Sequence, residues 1–378
     1  MFLGKKPSRP RTHRARILLL IPHLGGGGAE RVTALLARGL SAEKYELHLG
    51  LITQSDARPE ELPSSVTIHP LGALRVRTGA LRLLRLVRRL EPDLIVSGIF
   101  HLNFLVLLLR PFFAQRISVL VRQNGTVSAA LAFGNLSVST RLLYRLLYRH
   151  ANRVICQTQA MAEDLAAELG IAQQRLAVLN NPIDIDEIRK ATAHLWTGPG
   201  PHLLAVGRLA REKGFDLLLR ALAAVRQQFP NADLVIAGAG PEEAALKTIC
   251  RELGIAAAVR FVGHVDRPHA YFPGATLFAL SSRHEGMPNA LLEAAAAGLP
   301  LVALPASQGV VDLLCDHPGA WLAPEISAEA LAITLLAALQ DLHSGQRFAH
   351  PFIEEFRIDR ALEAYEQLID EVLQERQP

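Results

Sequence analysis

The stretch HLLAVGRLAREKGFDLLLRALAAVRQQFPNADLVIA, residues 202 to 237, decides the fold. It reads as an apolar strand (His202 to Val206), a glycine-framed basic loop (Gly207 to Gly214), a helix (Phe215 to Gln228) and a second apolar strand (Asp233 to Ala237). A helical crossover joins parallel strands, and apolar runs without alternation suit strands buried on both faces. The pattern continues through helix Glu242 to Leu253, strand Val259 to Val262, strand Thr276 to Ser281, helix Asn289 to Ala297 and strand Pro300 to Ala303. Upstream, strands are expected at Ile17 to Ile21, Glu46 to Ile52, Leu94 to Ser97, Ile117 to Val121, Arg153 to Cys156 and Leu176 to Leu179, with helical patterns between most of them.

After Asn180, a polar stretch opens with Asn181-Pro182 and ends in Gly198-Pro199-Gly200-Pro201, the composition of a linker. The expected class is α/β, with two doubly wound, Rossmann-like domains at 1–185 and 201–350, a linker at 186–200 and closing helical sequence over 351–378. Ligands of such sheets sit at the carboxyl ends of the strands. Two domains facing each other across a cleft would line it with both sets of loops, and catalysis is expected there.

Composition agrees. The 378 residues are 50% hydrophobic and only 6% aromatic, enough for two cores of helices on parallel sheets. Charge is uneven: residues 1–153 hold 23 Lys and Arg against 8 Asp and Glu, whereas residues 154–378 hold 17 against 28. The basic half suits an anionic membrane, phosphorylated substrates or nucleic acid. Cys156, Cys250 and Cys315 have neither pairing nor zinc-like spacing and read as buried thiols of a reducing, cytoplasmic compartment. The basic start followed by Ile17 to Ile21 is too short an apolar run for a signal peptide, and Ile99 to Leu109, interrupted by His101 and Asn103, is too short to span a bilayer.

Three loops carry the chemistry. The first, His23-Leu24-Gly25-Gly26-Gly27-Gly28-Ala29-Glu30-Arg31, follows a strand and opens a helix, so the amides of Gly26, Gly27 and Gly28 can approach a phosphate or sugar of the donor. It lacks the GxGxxG spacing and the acidic residue of a dinucleotide site, which argues against a dehydrogenase. In the second, Arg208 and Lys213 are placed to stabilise charge on a departing nucleoside diphosphate, as a metal ion would. In the third, Ser282-Arg283-His284-Glu285-Gly286-Met287-Pro288-Asn289-Ala290-Leu291-Leu292-Glu293, a Gly and a Pro force a loop and a helix begins near Asn289. Its amides suit a phosphate, while Glu285 and Glu293 can accept from sugar diols; a buried carboxylate pair without cations would be costly in a structural role.

With these motifs the chain resembles the family-4 retaining glycosyltransferases, which have the two-domain GT-B fold. The resemblance rests on the paired-glutamate motif after a Gly-Arg-Leu and Lys-Gly clamp, on Gly27 to Arg31, Gln157 to Met161, Asn181-Pro182 and Val262-Gly263, and covers nearly the whole chain. It implies that Glu293 holds the donor ribose and Glu285 the transferred sugar, that Arg208 and Lys213 hold the diphosphate, and that the amides of Gly286, Met287, Pro288-Asn289 bind sugar and phosphate. Val262, Gly263 and His264 would lie against the base, uracil being the commoner one. Also implied are retention by a front-face route, independence of any metal or other cofactor, and a closing helix that returns to the N-terminal domain.

One position departs from the pattern. Many relatives carry a functional histidine after the strand that here reads Val119 to Val121, where this chain has Arg122-Gln123-Asn124-Gly125. A subgroup acting on lipid-linked saccharides has a similar Arg-x-Asn element, so Arg122 and Asn124 are candidates for orienting acceptor or sugar, Asn124 within the catalytic group. His101 either reaches the acceptor or is a packing residue. The helices around Leu81 to Arg89 and Arg141 to Arg149 set Arg beside Leu; they suit the headgroup region of an anionic bilayer or, equally, an ordinary core-facing amphipathic helix. Nucleic acid fits less well without interleaved stacking aromatics.

The function expected is transfer from a UDP-hexose or UDP-N-acetylhexosamine to a lipid-linked saccharide or a polysaccharide or lipopolysaccharide precursor, on the inner face of the cell membrane. A sugar-nucleotide 2-epimerase and a non-catalytic nucleotide-sugar-binding protein are the alternatives.

Overall fold

The computed structural model describes residues 14–25, 27–53, 62–132, 138–192, 196 and 198–375. The chain forms two compact units: Met1–Leu179 together with Asp359–Pro378, and Asn180–Ile358. The first contains β1 (Ala15–Ile21), α1 (Gly28–Gly39), β2 (Tyr45–Thr53), β3 (Thr67–Ala73), α2 (Ala80–Leu90), β4 (Leu94–Ser97), α3 (Phe100–Leu109), β5 (Ser118–Arg122), α4 (Val127–Ala132), α5 (Val138–Tyr148), β6 (Arg153–Cys156), α6 (Gln159–Leu169) and β7 (Leu176–Val178). The second contains α7 (Ile185–Arg189), β8 (His202–Val206), α8 (Phe215–Gln228), β9 (Asp233–Ala237), α9 (Glu243–Glu252), β10 (Val259–Phe261), β11 (Leu277–Leu280), α10 (Asn289–Ala296), β12 (Leu301–Ala303), α11 (Gln308–Leu314), β13 (Ala320–Leu322) and α12 (Ala328–Asp341). The last helix, α13 (Ile358–Gln374), belongs to the first unit from Asp359 onward.

Both sheets are parallel and doubly wound. Strand order is β3-β2-β1-β4-β5-β6-β7 in the first and β10-β9-β8-β11-β12-β13 in the second. Each order reverses direction once, between β1 and β4 and between β8 and β11. At such a reversal the loops on the carboxyl side diverge, leaving a crevice for a ligand.

Alternation along the strands builds two cores per sheet. In β1, Ile17, Leu19 and Ile21 face Val32 and Leu36 of α1 and Ile369 and Val372 of α13, while Leu18 and Leu20 join Leu83 of α2 and Val106 of α3 on the other face. In β8, Leu203 and Ala205 meet Leu218 and Leu222 of α8, and Leu204 lies with Leu291 of α10. Two strands go beyond the series read from sequence. β3 carries Pro70 and Gly72 and is largely unburied, and Pro is tolerated because β3 is an edge strand. β13 is a three-residue edge strand, too short to show a period.

Residues Ile185–Arg189, in the segment read as linker, are the helix α7, capped by the Asp184 side chain on the Glu187 amide at 3.0 Å, with Ile185 and Ile188 buried in the second unit. Cys156 and Cys250 are buried thiols, and burial pushes the Cys156 thiol up to about 12. Cys315, expected to be buried, is exposed because it caps the surface end of α11. Among the described residues no helix is long and apolar enough to cross a membrane.

α13 is bound to the first unit by packing and polar contacts together. Glu366 accepts from the Ser41 amide at 2.9 Å and pairs with Lys44 at 2.5 Å, and the Tyr45 hydroxyl donates to Asp370 at 2.9 Å. A Cβ on Gly39 would overlap the Leu362 side chain, so α1 approaches α13 closely there. Tyr365, Leu368, Ile369, Val372 and Leu373 are all buried against the sheet, each large apolar side chain contributing ~1.5–3 kcal/mol. Ile369→Ala is therefore expected to cost ~2–5 kcal/mol of stability. Chemical unfolding followed by fluorescence should show a lowered midpoint for this variant and none for Gln367→Ala at an exposed site of the same helix.

Candidate active site

In the second unit the loops leaving β8 and β11 are joined backbone to backbone. Gly214 takes φ +61°, and a Cβ there would overlap the carbonyl oxygen of Ser281. The Ser281 hydroxyl donates to the Lys213 carbonyl at 2.9 Å, and the Arg283 amide donates to the Glu212 carbonyl at 2.8 Å. Arg283 closes the seam with two parallel 2.7 Å bonds to Asp216 in the first turn of α8. Burial alone would raise the Asp216 carboxyl; the Arg283 fork and the amides at the start of α8 outweigh it and hold the group below its usual range.

This seam brings Lys213 and Glu285 into contact. The Lys213 ammonium lies 2.6 Å from Glu285 Oε1, which also accepts from the Ser282 hydroxyl at 2.6 Å, and the Glu285 amide donates to the Ala306 carbonyl at 3.0 Å. With only 10% of its side chain exposed, Glu285 is held from three sides, yet Oε2 has no protein partner among the described residues. It is a positioned acceptor with spare capacity. Arg208 is on the same β8 loop, 68% exposed and paired with Glu212.

After Glu285, Gly286 accepts from the Ser307 hydroxyl at 3.3 Å and Met287 is buried. α10 starts after Pro288 with no side-chain cap hydrogen bond, at the positive end of its dipole. The Asn289 side chain accepts from buried Asn181 at 2.5 Å. Glu293, one turn into α10, is buried to 4% exposure among Leu and Ala. Val262, Gly263 and His264 reach the clamp through a glycine bridge: the Gly238 amide donates to the Gly263 carbonyl at 2.7 Å, and a Cβ on Gly238 would overlap the Gly207 carbonyl. Open space surrounds the Gly263 Cα, and His264 is exposed beside Asp266 at 3.1 Å. Gly238 and Gly240, whose Cβ would overlap Leu209, went unread in the sequence; the Gly-Ala-Gly after β9 was their signal.

In the first unit, Asn124 is a bracket. Its side-chain oxygen accepts from Arg122 at 2.8 Å and from Gln157 at 3.2 Å, and its amide nitrogen donates to the Gly98 carbonyl at 2.5 Å. The loops after β4, β5 and β6 are thereby tied together, with one amide N–H of Asn124 left over. Arg122, a candidate acceptor contact, is 2% exposed. Beneath it, Gln123 accepts from the Tyr148 hydroxyl at 2.9 Å and Asn103 donates to the Arg122 carbonyl at 2.9 Å. Gln157, Tyr148 and Asn103 were not read as site residues, since only strand order brings them together. His101 is exposed in the first turn of α3, where surrounding protein and the neighbouring His23 hold its imidazole below the usual range. Gly27 caps α1 and Gly28 opens it, with Glu30 folded against Gly27; Gly26 lies outside the described residues. Among the described residues no group of three or more His, Cys, Asp or Glu could hold a metal ion.

The Glycosyl transferases group 1 profile matches residues 185–354, and that of Glycosyltransferase Family 4 matches residues 26–187. The chain belongs to this glycosyltransferase family. One relative is the N-acetylgalactosamine-N,N'-diacetylbacillosaminyl-diphospho-undecaprenol 4-alpha-N-acetylgalactosaminyltransferase of Campylobacter jejuni, 29% identical over 309 residues, 79% of this chain and 83% of that protein. Another, a lipopolysaccharide core biosynthesis glycosyltransferase of Rhizobium meliloti, is 27% identical over 239 residues, 61% of this chain and 66% of that one. Among solved structures, HepE of Anabaena in complex with UDP and glucose matches with a TM-score of 0.77 at 19% identity, over 95% of this chain and all of that one. The two-sheet architecture of the glycosyltransferase is the GT-B fold.

The seam makes a prediction of its own. In this glycosyltransferase Gly263→Ala meets open space and should cost only the ~1–2 kcal/mol of a left-handed backbone. Gly214→Ala adds a clash with a backbone oxygen and should cost measurably more. Urea unfolding of the two variants, side by side, checks the order.

Proposed function

We propose that this glycosyltransferase moves a sugar from a nucleoside diphosphate donor to an acceptor hydroxyl with retention of anomeric configuration. The observation that carries the reading is the Lys213–Glu285 contact at the strand reversal, where Glu285 Oε1 is held by Lys213 and Ser282 and Oε2 has no partner among the described residues. Glu285 accepts from hydroxyls of the transferred sugar and Glu293 from the ribose. Lys213 and Arg208 take the diphosphate, exposed Arg208 exchanging its partly buried Glu212 partner for phosphate oxygens. The amides of Gly286, Met287 and Asn289 and the dipole end of α10 add to the positive field, and Val262 to His264 flank the base.

In the transfer the bond from the anomeric carbon to the diphosphate breaks and a bond to the acceptor oxygen forms on the same face. The acceptor proton passes to the departing phosphate oxygen, and the two cations stabilise the charge that gathers there. Such cations do electrostatically what a divalent ion would do. Asn124, Arg122 and His101 shape the acceptor side, and the amides of Gly27 and Gly28 add to the donor side.

UDP is the nucleotide proposed, in line with the HepE complex with UDP and glucose, and the donor is a hexose or N-acetylhexosamine derivative. A lipid-linked or envelope saccharide is the acceptor proposed, in line with the diphospho-undecaprenol named for the Campylobacter relative and the lipopolysaccharide core named for the Rhizobium one. Surface chemistry supports a membrane nearby: Leu81 on α2 and Leu142 and Leu146 on α5 are 66%, 60% and 42% exposed among arginines. Arginine beside exposed leucine suits an anionic interface, each nearby cation contributing ~1 kcal/mol.

Nucleotide release from a panel of UDP- and GDP-sugars, with a chelator, with and without a bacterial inner-membrane lipid extract, tests this. Lipid-dependent UDP release with one donor is expected; conversion of the donor without lipid would point to an epimerase instead. Lys213→Ala and Glu285→Ala should each lower kcat by 10²-fold or more, the scale of losing one preorganised electrostatic contact. Turnover retained in both variants would overturn the site.

A further inference from the structure

Lys213 belongs to a short turn, Arg211–Lys213, between β8 and α8, and one residue of the β11 loop grips the chain on both sides of the lysine. Arg283 donates through Nη1 to the Arg211 carbonyl at 2.9 Å and through both Nη atoms to the Asp216 carboxylate at 2.7 Å each. Its backbone amide donates to the Glu212 carbonyl at 2.8 Å. Residues 211, 212 and 216 are thereby tied to a single arginine, which stands two positions before Glu285. Arg283 and Asp216 are 67 residues apart in sequence, so only the folded second sheet brings them together.

The geometry of the pair favours rigidity. A planar fork that meets both oxygens of one carboxylate fixes distance and angle together, whereas an ammonium in its place is a point charge that can swivel. With 21% and 34% of the two side chains exposed, the pair is also less screened than a surface contact. The Arg208–Glu212 pair of the β8 loop is the contrast: its arginine is far more exposed and meets the carboxylate at a single oxygen. Three of the five N–H donors of Arg283 are engaged within the protein, on Asp216 and on the turn that carries Lys213.

We propose that Arg283 and Asp216 are positioning residues for the donor: their fork holds the Arg211–Lys213 turn against the Glu285 loop, so that the Lys213 ammonium stands where the diphosphate binds. The proposal rests on the reading of Lys213 as a diphosphate contact and can fail separately from it. The sign of one substitution distinguishes the possible roles. Asp216→Asn keeps one acceptor, sets an amide NH2 against the guanidinium and makes the loop more positive. Were the pair only a source of local charge, or Arg283 itself a phosphate ligand, diphosphate binding would hold or tighten. A positioning role gives the opposite sign, because the turn loses its fork.

The probes are UDP and uridine, titrated calorimetrically into the full chain; the ratio of their affinities isolates the diphosphate. Asp216→Asn and Arg283→Lys should each weaken UDP about tenfold, within the up to ~10²-fold that a ~1 Å misplacement costs a positioned group. Uridine affinity should stay at the wild-type value. Arg283→Lys keeps the charge and loses only the fork, so its effect cannot come from net charge, and a cooperative melt of each variant checks the fold. UDP affinity retained in both variants while Lys213→Ala lowers it overturns the positioning role and leaves Lys213 in place. Tighter UDP binding by Asp216→Asn, or equal losses for UDP and uridine, also overturns it. Wild-type protein that binds UDP no more tightly than uridine overturns the reading of Lys213 and the positioning role with it.

Discussion

The second unit depends on a backbone contact that only glycine permits. The Ser281 carbonyl occupies the space where a side chain on residue 214 would begin, so the loop from β8 and the loop from β11 meet without side chains between them. That contact sits at the strand reversal, where two neighbouring parallel strands send their connections in opposite directions. Elsewhere in the sheet adjacent loops turn the same way and crowd each other; here they part, and the seam fixes how far. Lys213 and Glu285, 72 positions apart in sequence, come within 2.6 Å as a direct result.

A lysine and a glutamate held this way are expensive to bury, and the cost is met by the extra bonds around them. Removing two charges from water costs several kcal/mol per ion unless the remaining donors and acceptors are filled. The Ser282 hydroxyl supplies one such bond to Glu285, while Lys213 retains 26% exposure. Among the described residues Glu285 Oε2 and the remaining ammonium protons have no partner, and that is the capacity the proposed donor would use. Arg208 contrasts with this: its pairing with Glu212 is largely exposed and easily exchanged. A buried pair across two loops and an exposed arginine beside it suit a ligand whose sugar must be fixed and whose diphosphate must be allowed to leave.

Much of this could be read in the sequence because it is local. The strands Leu94–Ser97, Arg153–Cys156, His202–Val206 and Asp233–Ala237 have the expected bounds, as continuous apolar runs ended by charge or glycine leave little choice of register. The clamp and the paired glutamates were legible for the same reason, each lying within one loop and one helix start. β3 was not, because an edge strand needs neither apolar continuity nor a free amide at every position, and Pro70 and Gly72 disguised it.

Asn124, found by motif, also has a structural task that the motif does not show. An asparagine where relatives carry histidine suggests a polar group aimed at a ligand. Its side chain instead satisfies three partners across the ends of β4, β5 and β6, leaving one N–H to offer. A carboxamide cannot accept a proton near neutral pH, and an amide whose oxygen already has two donors is a weak acceptor for a hydroxyl as well. On the proposed route no protein base is required, because the departing phosphate takes the proton. What the hydrogen bonds show is that Asn124 fixes three loop ends relative to one another and that buried Arg122 holds Asn124.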